Sequence, residues 1–246
     1  MTSHSSLQTA FVLCAGFGTR MGLLTKARPK PLLSVAGSSF LDHILRDLVA
    51  AGVPHLIVNT HYLADQVEEA LIPWRASFET IHISHEPKIL GTGGALACVQ
   101  PHLATLEAKA FFVVNTDTLF RSPHQTPHGA SIFQNLQTYW NSEEDTDVLL
   151  TLISSENRPK GDFQMNREKG TLSWPVGGEK APWIYGGIAV YKTELLEGLS
   201  PPTPFHASYY WDMALTTGGL KGMVWEGDWF DLGTREAYEA FHAQAL

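Results

Sequence analysis

Residues 11–33 read FVLCAGFGTRMGLLTKARPKPLL. An apolar run over 11–14 opens into a turn holding Gly16 and Gly18. Four cations follow, Arg20, Lys26, Arg28 and Lys30, and no acidic residue comes before Asp42. The run has the composition of a short buried strand, and the glycines after it leave backbone N–H groups free to cradle phosphate oxygens. Yet the chain as a whole is acidic, with 17 Lys and Arg against 25 Asp and Glu and a formal net charge of -8. That balance argues against a nucleic acid polymer, which needs a broad basic footprint, and leaves room for a small phosphate ligand.

Beyond this stretch, strands and helices alternate. Residues 40–52 place Phe40, Leu41, Ile44, Leu45, Leu48 and Val49 at helical spacing and end at Gly52, a left-handed cap. HLIVN (55–59), IHIS (81–84) and AFFVVN (110–115) read as strands, LADQVEEALI (63–72) as a helix, and GTGGALACVQPHL (91–103) as a loop entering a helix. Such alternation implies a mainly parallel sheet covered on both faces. The second half is richer in β-structure: DVLLTLI, DFQMN, TLSW and IYGGIAVY read as strands, SYYWDMALTTG as a helix and SPHQTPHG (122–129) as a loop.

At 246 residues, with 44% hydrophobic and 17% charged residues, the composition is that of an ordinary globular protein. Cys14 and Cys98 lie in apolar segments and read as packed thiols of a reducing compartment. No positively charged leader precedes an apolar core, and no apolar run approaches the roughly 20 residues that span a bilayer. A cytoplasmic protein is expected. The eleven histidines show no zinc spacing; His61, His82 and His85 read as surface or packing residues.

The glycine turn fits neither common phosphate-loop pattern. Gly-Lys-Ser/Thr is absent, and Met21 stands where the dinucleotide fingerprint needs a third glycine. A surface loop with solvated cations is the plainer alternative. Against it, Pro29 and Pro31 stiffen the backbone around Lys30, which suits a lysine held for a polyphosphate.

The full string resembles the sugar-phosphate nucleotidyltransferases, the NDP-sugar pyrophosphorylases, whose signature runs approximately L-A-A-G-x-G-T-R-L/M-x-P-x-T-x-x-x-P-K-P-L-L-P-V. Here it stands as LCAGFGTRMGLLTKARPKPLLSV. LGTGGAL, VVNTDTLF and WFDLGTREAYEAF are similar to three further family elements in the same order. Cys14, Gly22, Thr116 and Arg235 depart from the pattern; Gly22 takes a proline's place, so loop stiffness is where a difference is expected.

The resemblance implies a Rossmann-like three-layer α/β fold with a mainly parallel mixed sheet and a β-rich substrate-side extension. It implies one domain over 1–246, with a nucleotide-binding half of about 8–120 and a sugar-phosphate half of about 121–246. The implied reaction joins a nucleoside triphosphate and a sugar 1-phosphate into an NDP-sugar and pyrophosphate. Arg20 and Lys30 would be catalytic. Leu13, Ala15, Gly16, Gly18, Thr19, Glu86, Gly91 and Gly93 would join them around the nucleotide, although Glu86 reads equally well as an exposed loop charge. Asn115, Asp162, Tyr185 and Gly187 are candidates for the sugar phosphate, with Lys180 a weaker one. Asp117 and Asp231, each of which alone would read as a turn former, fall at the two positions for Mg²⁺.

The chain ends soon after DLGT, so no hexapeptide-repeat β-helix is expected. The compact ending, with KGDFQM, WIYGGIAVY and FHASYYWDMAL, resembles the short bacterial N-acetylmuramate 1-phosphate uridylyltransferases, which would make UTP the nucleotide. Mannose-1-phosphate guanylyltransferase-like proteins come second, and phosphocholine cytidylyltransferases share the N-terminal signature. A non-catalytic nucleotide-sugar regulator would be expected to lack an aspartate or Lys30, and this chain keeps them. No membrane partner is expected, and the chain would act as a monomer or homodimer.

Overall fold

The computed structural model describes residues 7–122, 131–156, 160–198 and 204–244. All of the expected loop 122–129 except Ser122 lies outside them. Strand β1 (Thr9–Leu13) leads through 3-10 turns at Thr19–Thr25 and Lys30–Leu32 into a small hairpin, β2 (Ser34–Val35) with β3 (Ser38–Ser39). Helix α1 (Phe40–Ala50), β4 (His55–Thr60), α2 (Ala64–Leu71), β5 (Thr80–His85), α3 (Gly91–Cys98), α4 (Gln100–Thr105) and β6 (Ala110–Asn115) follow. Next come β7 (Thr118–Arg121), α5 (Ile132–Ser142), β8 (Val148–Ser154), the short pair β9 (Gln164–Met165) and β10 (Leu172–Ser173), and β11 (Trp183–Lys192). Helix α6 (Ser208–Thr217), β12 (Leu220–Val224), β13 (Asp228–Asp231) and α7 (Arg235–Gln244) complete the order.

The central sheet has seven strands in the order β12-β8-β11-β6-β1-β4-β5, and only β11 runs antiparallel to its neighbours. Strand alternation sorts its side chains onto two faces. Val12, Val58, Phe112 and Val114 pack under α1, α2 and α5, while Phe11, Ile57, Phe111 and Val113 pack under α3, α4 and α6. The result is the expected three-layer α/β arrangement. No helix among the described residues is long and apolar enough to cross a membrane.

Local sequence explains the helix ends. Ser39 and Asp42 form a capping box on α1, and Gly52, at φ 73°, lets the chain leave α1 in the left-handed region. Val49 is solvent-facing rather than packed, since the apolar stripe of α1 turns away from it in the last turn. Of DFQMN and TLSW, only two residues each form the β9–β10 ladder. Several elements were unexpected from sequence: the β2–β3 hairpin, α5, the edge strand β12, and the β7–β13 pair that brings the last strand against the segment after β6.

Candidate active site

A cleft of about 360 Å³ opens at the C-terminal ends of β1, β4 and β6. Leu13 on β1 is in register with Asn59 on β4 and with Asn115 on β6. The chain passes from β1 to one side of the sheet and returns to the other, so the cleft lies at a topological switch point, where open α/β sheets bind ligands. Leu13, Ala15, Gly16, Gly18, Thr19, Arg20, Lys30, Glu86, Gly91, Asn115 and Asp117 all line it.

Cations and carboxylates meet on one side. Lys30 is 9% exposed, and its Nζ donates to Asp117 Oδ2 at 2.7 Å and lies 3.4 Å from the Gly233 carbonyl. Arg20, mostly exposed, reaches the same Asp117 oxygen at 3.8 Å. Asp231 Oδ1 accepts from the Gly233 N–H at 3.1 Å. A Cβ on Gly233 would stand 2.9 Å from Asp231 Oδ1, 3.1 Å from Asp117 Oδ2 and 3.3 Å from Arg20 Nη2, so the two carboxylates and the guanidinium converge on one point. The β7–β13 pair builds this meeting, reinforced by the Leu232 N–H donating to the Asp117 carbonyl at 2.9 Å.

The turn between Gly18 and Lys30 is fixed by contacts from the β4–α2 side. The Tyr62 hydroxyl lies 2.9 Å from the Thr25 carbonyl and 3.0 Å from that of Lys26, and Gln66 Nε2 donates to Ala27 O at 3.0 Å. His61 and Tyr62 meet the Phe17 ring edge-on, so His61 is indeed a packing residue. Gly22 has φ 59° and ψ -123°, which a proline cannot adopt. The departure from the signature at this position therefore changes the shape of the turn, not only its stiffness. Thr116, another departure, ties the N-T-D turn to β1 by donating to Leu13 O at 2.9 Å.

Across the cleft, Glu86 is 2% exposed, which overturns its reading as an exposed loop charge. Its carboxylate accepts from Asn59 Nδ2 at 2.7 Å and from the Leu90 N–H at 3.0 Å. Gly93 sits behind this wall, its N–H donating to Phe205 O at 3.0 Å. On the β11 side, the register shifts after Tyr185, and Gly187 rests against Thr118 and Asn115. Asp162 accepts from the Tyr185 N–H at 3.0 Å. Burial, then the neighbouring Tyr191 and Asp117, hold the Tyr185 phenol well above its ordinary pKa, so it stays a neutral hydrogen-bond donor.

Tyr185, Gly187, Gly93 and Asp231 are thus neighbours of the cleft residues without lining the cleft, and Asp162 touches Tyr185 rather than any lining residue. Lys180 is exposed, and its carbonyl accepts from Gln164 Nε2. The cleft also holds residues that sequence reasoning missed: Asn59, Pro31, Ile89, Thr92 and Gly233. Asn59 was findable, since a polar residue ending a strand in HLIVN sits where α/β sheets place ligands. Cys14 and Cys98 are free, and burial pushes the Cys14 thiol far up, leaving it an inert packing group.

A switch-point cleft that joins a glycine turn, buried and exposed cations and two converging carboxylates defines a protein of the nucleotide-transferring class. The model for the MobA-like NTP transferase domain matches residues 10–140. N-acetylmuramate alpha-1-phosphate uridylyltransferase from Caulobacter vibrioides is 34% identical over 242 residues, covering 96% of both chains. Mannose-1-phosphate guanyltransferase beta-B from Xenopus laevis is 36% identical over 91% of this chain and 61% of its own. A UTP-bound UGPase from Acinetobacter baumannii shares the fold, with a TM-score of 0.77 over 97% of this chain and 93% of that one at 17% identity. The chain belongs to the MobA-like NTP transferase family and, within it, to the nucleotidyltransferases that act on sugar 1-phosphates.

Proposed function

We propose that the protein transfers a uridylyl group from UTP to N-acetylmuramic acid 1-phosphate, with Mg²⁺ as cofactor. The observation that carries the reaction is the convergence of Arg20, Lys30, Asp117 and Asp231 at the strand ends. The choice of substrates is supported by the uridylyltransferase from Caulobacter vibrioides, similar along nearly the whole chain. The 36% identity to a mannose-1-phosphate guanyltransferase supports a second reading, GTP with mannose 1-phosphate.

In the transfer, a phosphate oxygen of the sugar 1-phosphate forms a bond to the α-phosphorus. The bond from that phosphorus to the oxygen bridging to the β-phosphate breaks, and its electron pair leaves on pyrophosphate. The nucleophile is already anionic near neutral pH, so the work left to the protein is to bring two anions together and hold charge. Backbone N–H groups at Ala15 to Thr19 and the Arg20 guanidinium face the triphosphate. Lys30 leaves Asp117 for a phosphate oxygen as the nucleotide enters, exchanging one anionic partner for another. The facing carboxylates of Asp117 and Asp231 form a hard oxygen donor set that suits a divalent ion, and with a phosphate between them they would hold Mg²⁺. When bound, that ion neutralises charge on the transferring phosphates. Asn115, Tyr185 and Gly187 bound the side from which the sugar phosphate enters, the Tyr185 hydroxyl serving as a neutral donor. Glu86 and Gly91 bound the opposite, nucleoside side.

The two free cysteines suit a reducing, cytoplasmic setting. A pyrophosphate-release screen of four nucleoside triphosphates against a panel of sugar 1-phosphates tests the reading. UTP with N-acetylmuramic acid 1-phosphate should give the highest kcat/KM. Turnover of GTP with mannose 1-phosphate but not of UTP would replace it with the second reading.

A further inference from the structure

Asn59, 3% exposed on β4, joins the two walls of the cleft through its amide. Its Oδ1 accepts from the Cys14 N–H at 2.7 Å, one residue past the end of β1, where the glycine turn begins. Its Nδ2 donates to Glu86 Oε1 at 2.7 Å, and Glu86 Oε2 accepts from the Leu90 N–H at 3.0 Å, just before α3. One relay therefore runs from the phosphate-side turn to the turn that opens α3. Chemistry fixes its direction: a backbone N–H needs an acceptor, and a carboxylate needs donors.

We propose that Asn59 is a positioning residue for nucleotidyl transfer, setting the separation of the glycine turn and the start of α3 at the value a nucleoside triphosphate requires. The proposal rests on the reading of this cleft as the nucleotide site. A leucine at this place would leave a buried N–H and a buried carboxylate short of a partner. An aspartate would set two carboxylates against each other.

The relay can be reversed only by changing both members. In Asn59→Asp with Glu86→Gln, the introduced aspartate accepts from the Cys14 N–H and from the introduced glutamine amide, whose oxygen accepts from the Leu90 N–H. Each single change instead leaves two donors or two acceptors face to face. Rescue by the pair therefore reports the relay itself, as a coupling energy between neighbours.

The test is calorimetric binding of UTP with Mg²⁺, with no sugar 1-phosphate present, together with KM and kcat and a melting curve for each variant. Asn59→Asp, Glu86→Gln and Asn59→Leu should each weaken UTP binding by about tenfold or more, with KM for the sugar 1-phosphate unchanged. The double variant should return to within about threefold of wild type. Should the single variants fail to fold, the double variant is still read directly against wild type. A folded double variant that binds no better than Glu86→Gln would overturn the proposal and make the Glu86 charge a direct nucleotide contact. So would a folded Asn59→Leu with wild-type affinity. Wild-type protein that binds none of the four triphosphates sinks the nucleotide reading of the cleft as well, whereas normal wild-type binding with an unrescued pair sinks only the role of Asn59.

Discussion

Lys30 is where the cationic and anionic sides of the cleft meet. It is nearly buried, its ammonium bonded to Asp117, while Lys26, four residues earlier in the same turn, is exposed. Lys30→Ala should therefore weaken productive triphosphate binding strongly, and Lys26→Ala far less. Losing one charge-assisted phosphate contact costs about 1.5–3 kcal/mol, on the order of 10- to 150-fold in kcat/KM. Equal, small effects of both changes on pyrophosphate release would reject the assignment. The carboxylates give a second prediction. Asp117→Asn and Asp231→Asn each nearly keep shape but remove a charge, so folding should survive while turnover falls sharply. Asp117→Asn should be the worse, since it also strips the nearly buried Lys30 of its counter-ion. With both aspartates acting through one ion, as proposed above, the double variant should be scarcely worse than Asp117→Asn, and a chelator should bring wild type down to a similar level. Losses that simply multiply, measured at limiting Mg²⁺, would separate the two residues' roles.

The α3 wall is built by close backbone approach, and two glycines separate structure from ligand. A Cβ on Gly93 would stand 2.6 Å from the His206 carbonyl and closer still to the Phe205 ring, whereas a Cβ on Gly16 would meet nothing within 4 Å. Gly93→Ala should therefore lower stability by about 1–3 kcal/mol, read by urea unfolding, as the Phe205 segment is pushed away. Gly16→Ala should leave stability unchanged and raise KM for the triphosphate alone, because its new methyl group meets no protein atom at a residue that lines the cleft. A Gly16→Ala protein with normal KM would place the triphosphate elsewhere. These elements were unequally legible in the sequence. Apolar runs such as AFFVVN and the paired prolines around Lys30 announced β6 and the phosphate-side turn, because burial and proline geometry act locally. Helix α5 is written in the sequence too, as a Ser131–Gln134 capping box overlapping the apolar stripe of Ile132, Phe133, Leu136 and Trp140. The β7–β13 pair had no such signal. Its strands are four residues each and lie about a hundred positions apart, so only tertiary pairing defines them. Burial of Glu86 was hidden for the same reason: its partner Asn59 lies 27 residues earlier in the chain and is brought beside it by the β4–β5 pairing rather than by sequence pattern.

At the scale of the whole molecule, the site is supported by a small apolar cluster distinct from the two faces of the central sheet. Met21, Leu33, Val35, Phe40, Leu119, Leu232 and Phe241 pack together, gathering the signature turn, the β2–β3 hairpin, α1, β7, β13 and α7 in one place. Tyr238 on α7 adds a hydrogen bond from its hydroxyl to the Ser34 carbonyl. Leu232 lies between Asp231 and Gly233, and Met21 follows Arg20, so the cluster sets the backbone on which the converging charges stand. Phe112, by contrast, lies in the main core between the sheet and α5, edge-on to Phe133. Phe241→Ala and Phe112→Ala should each cost about 3–5 kcal/mol, because each removes a buried ring that its surroundings only partly refill. That is a large share of a typical stability of about 5–15 kcal/mol, so both variants should melt early. Their kinetics should differ. Assayed well below its melting point, folded Phe112→Ala should keep near-normal KM and kcat, whereas Phe241→Ala should lose kcat and need more Mg²⁺ to reach half-maximal rate. The cause would be a looser Asp231–Gly233 segment, which no longer holds its carboxylate against Asp117. Equal kinetic losses at equal unfolding free energy would show instead that the cluster contributes only stability and that the site is held by its hydrogen bonds alone.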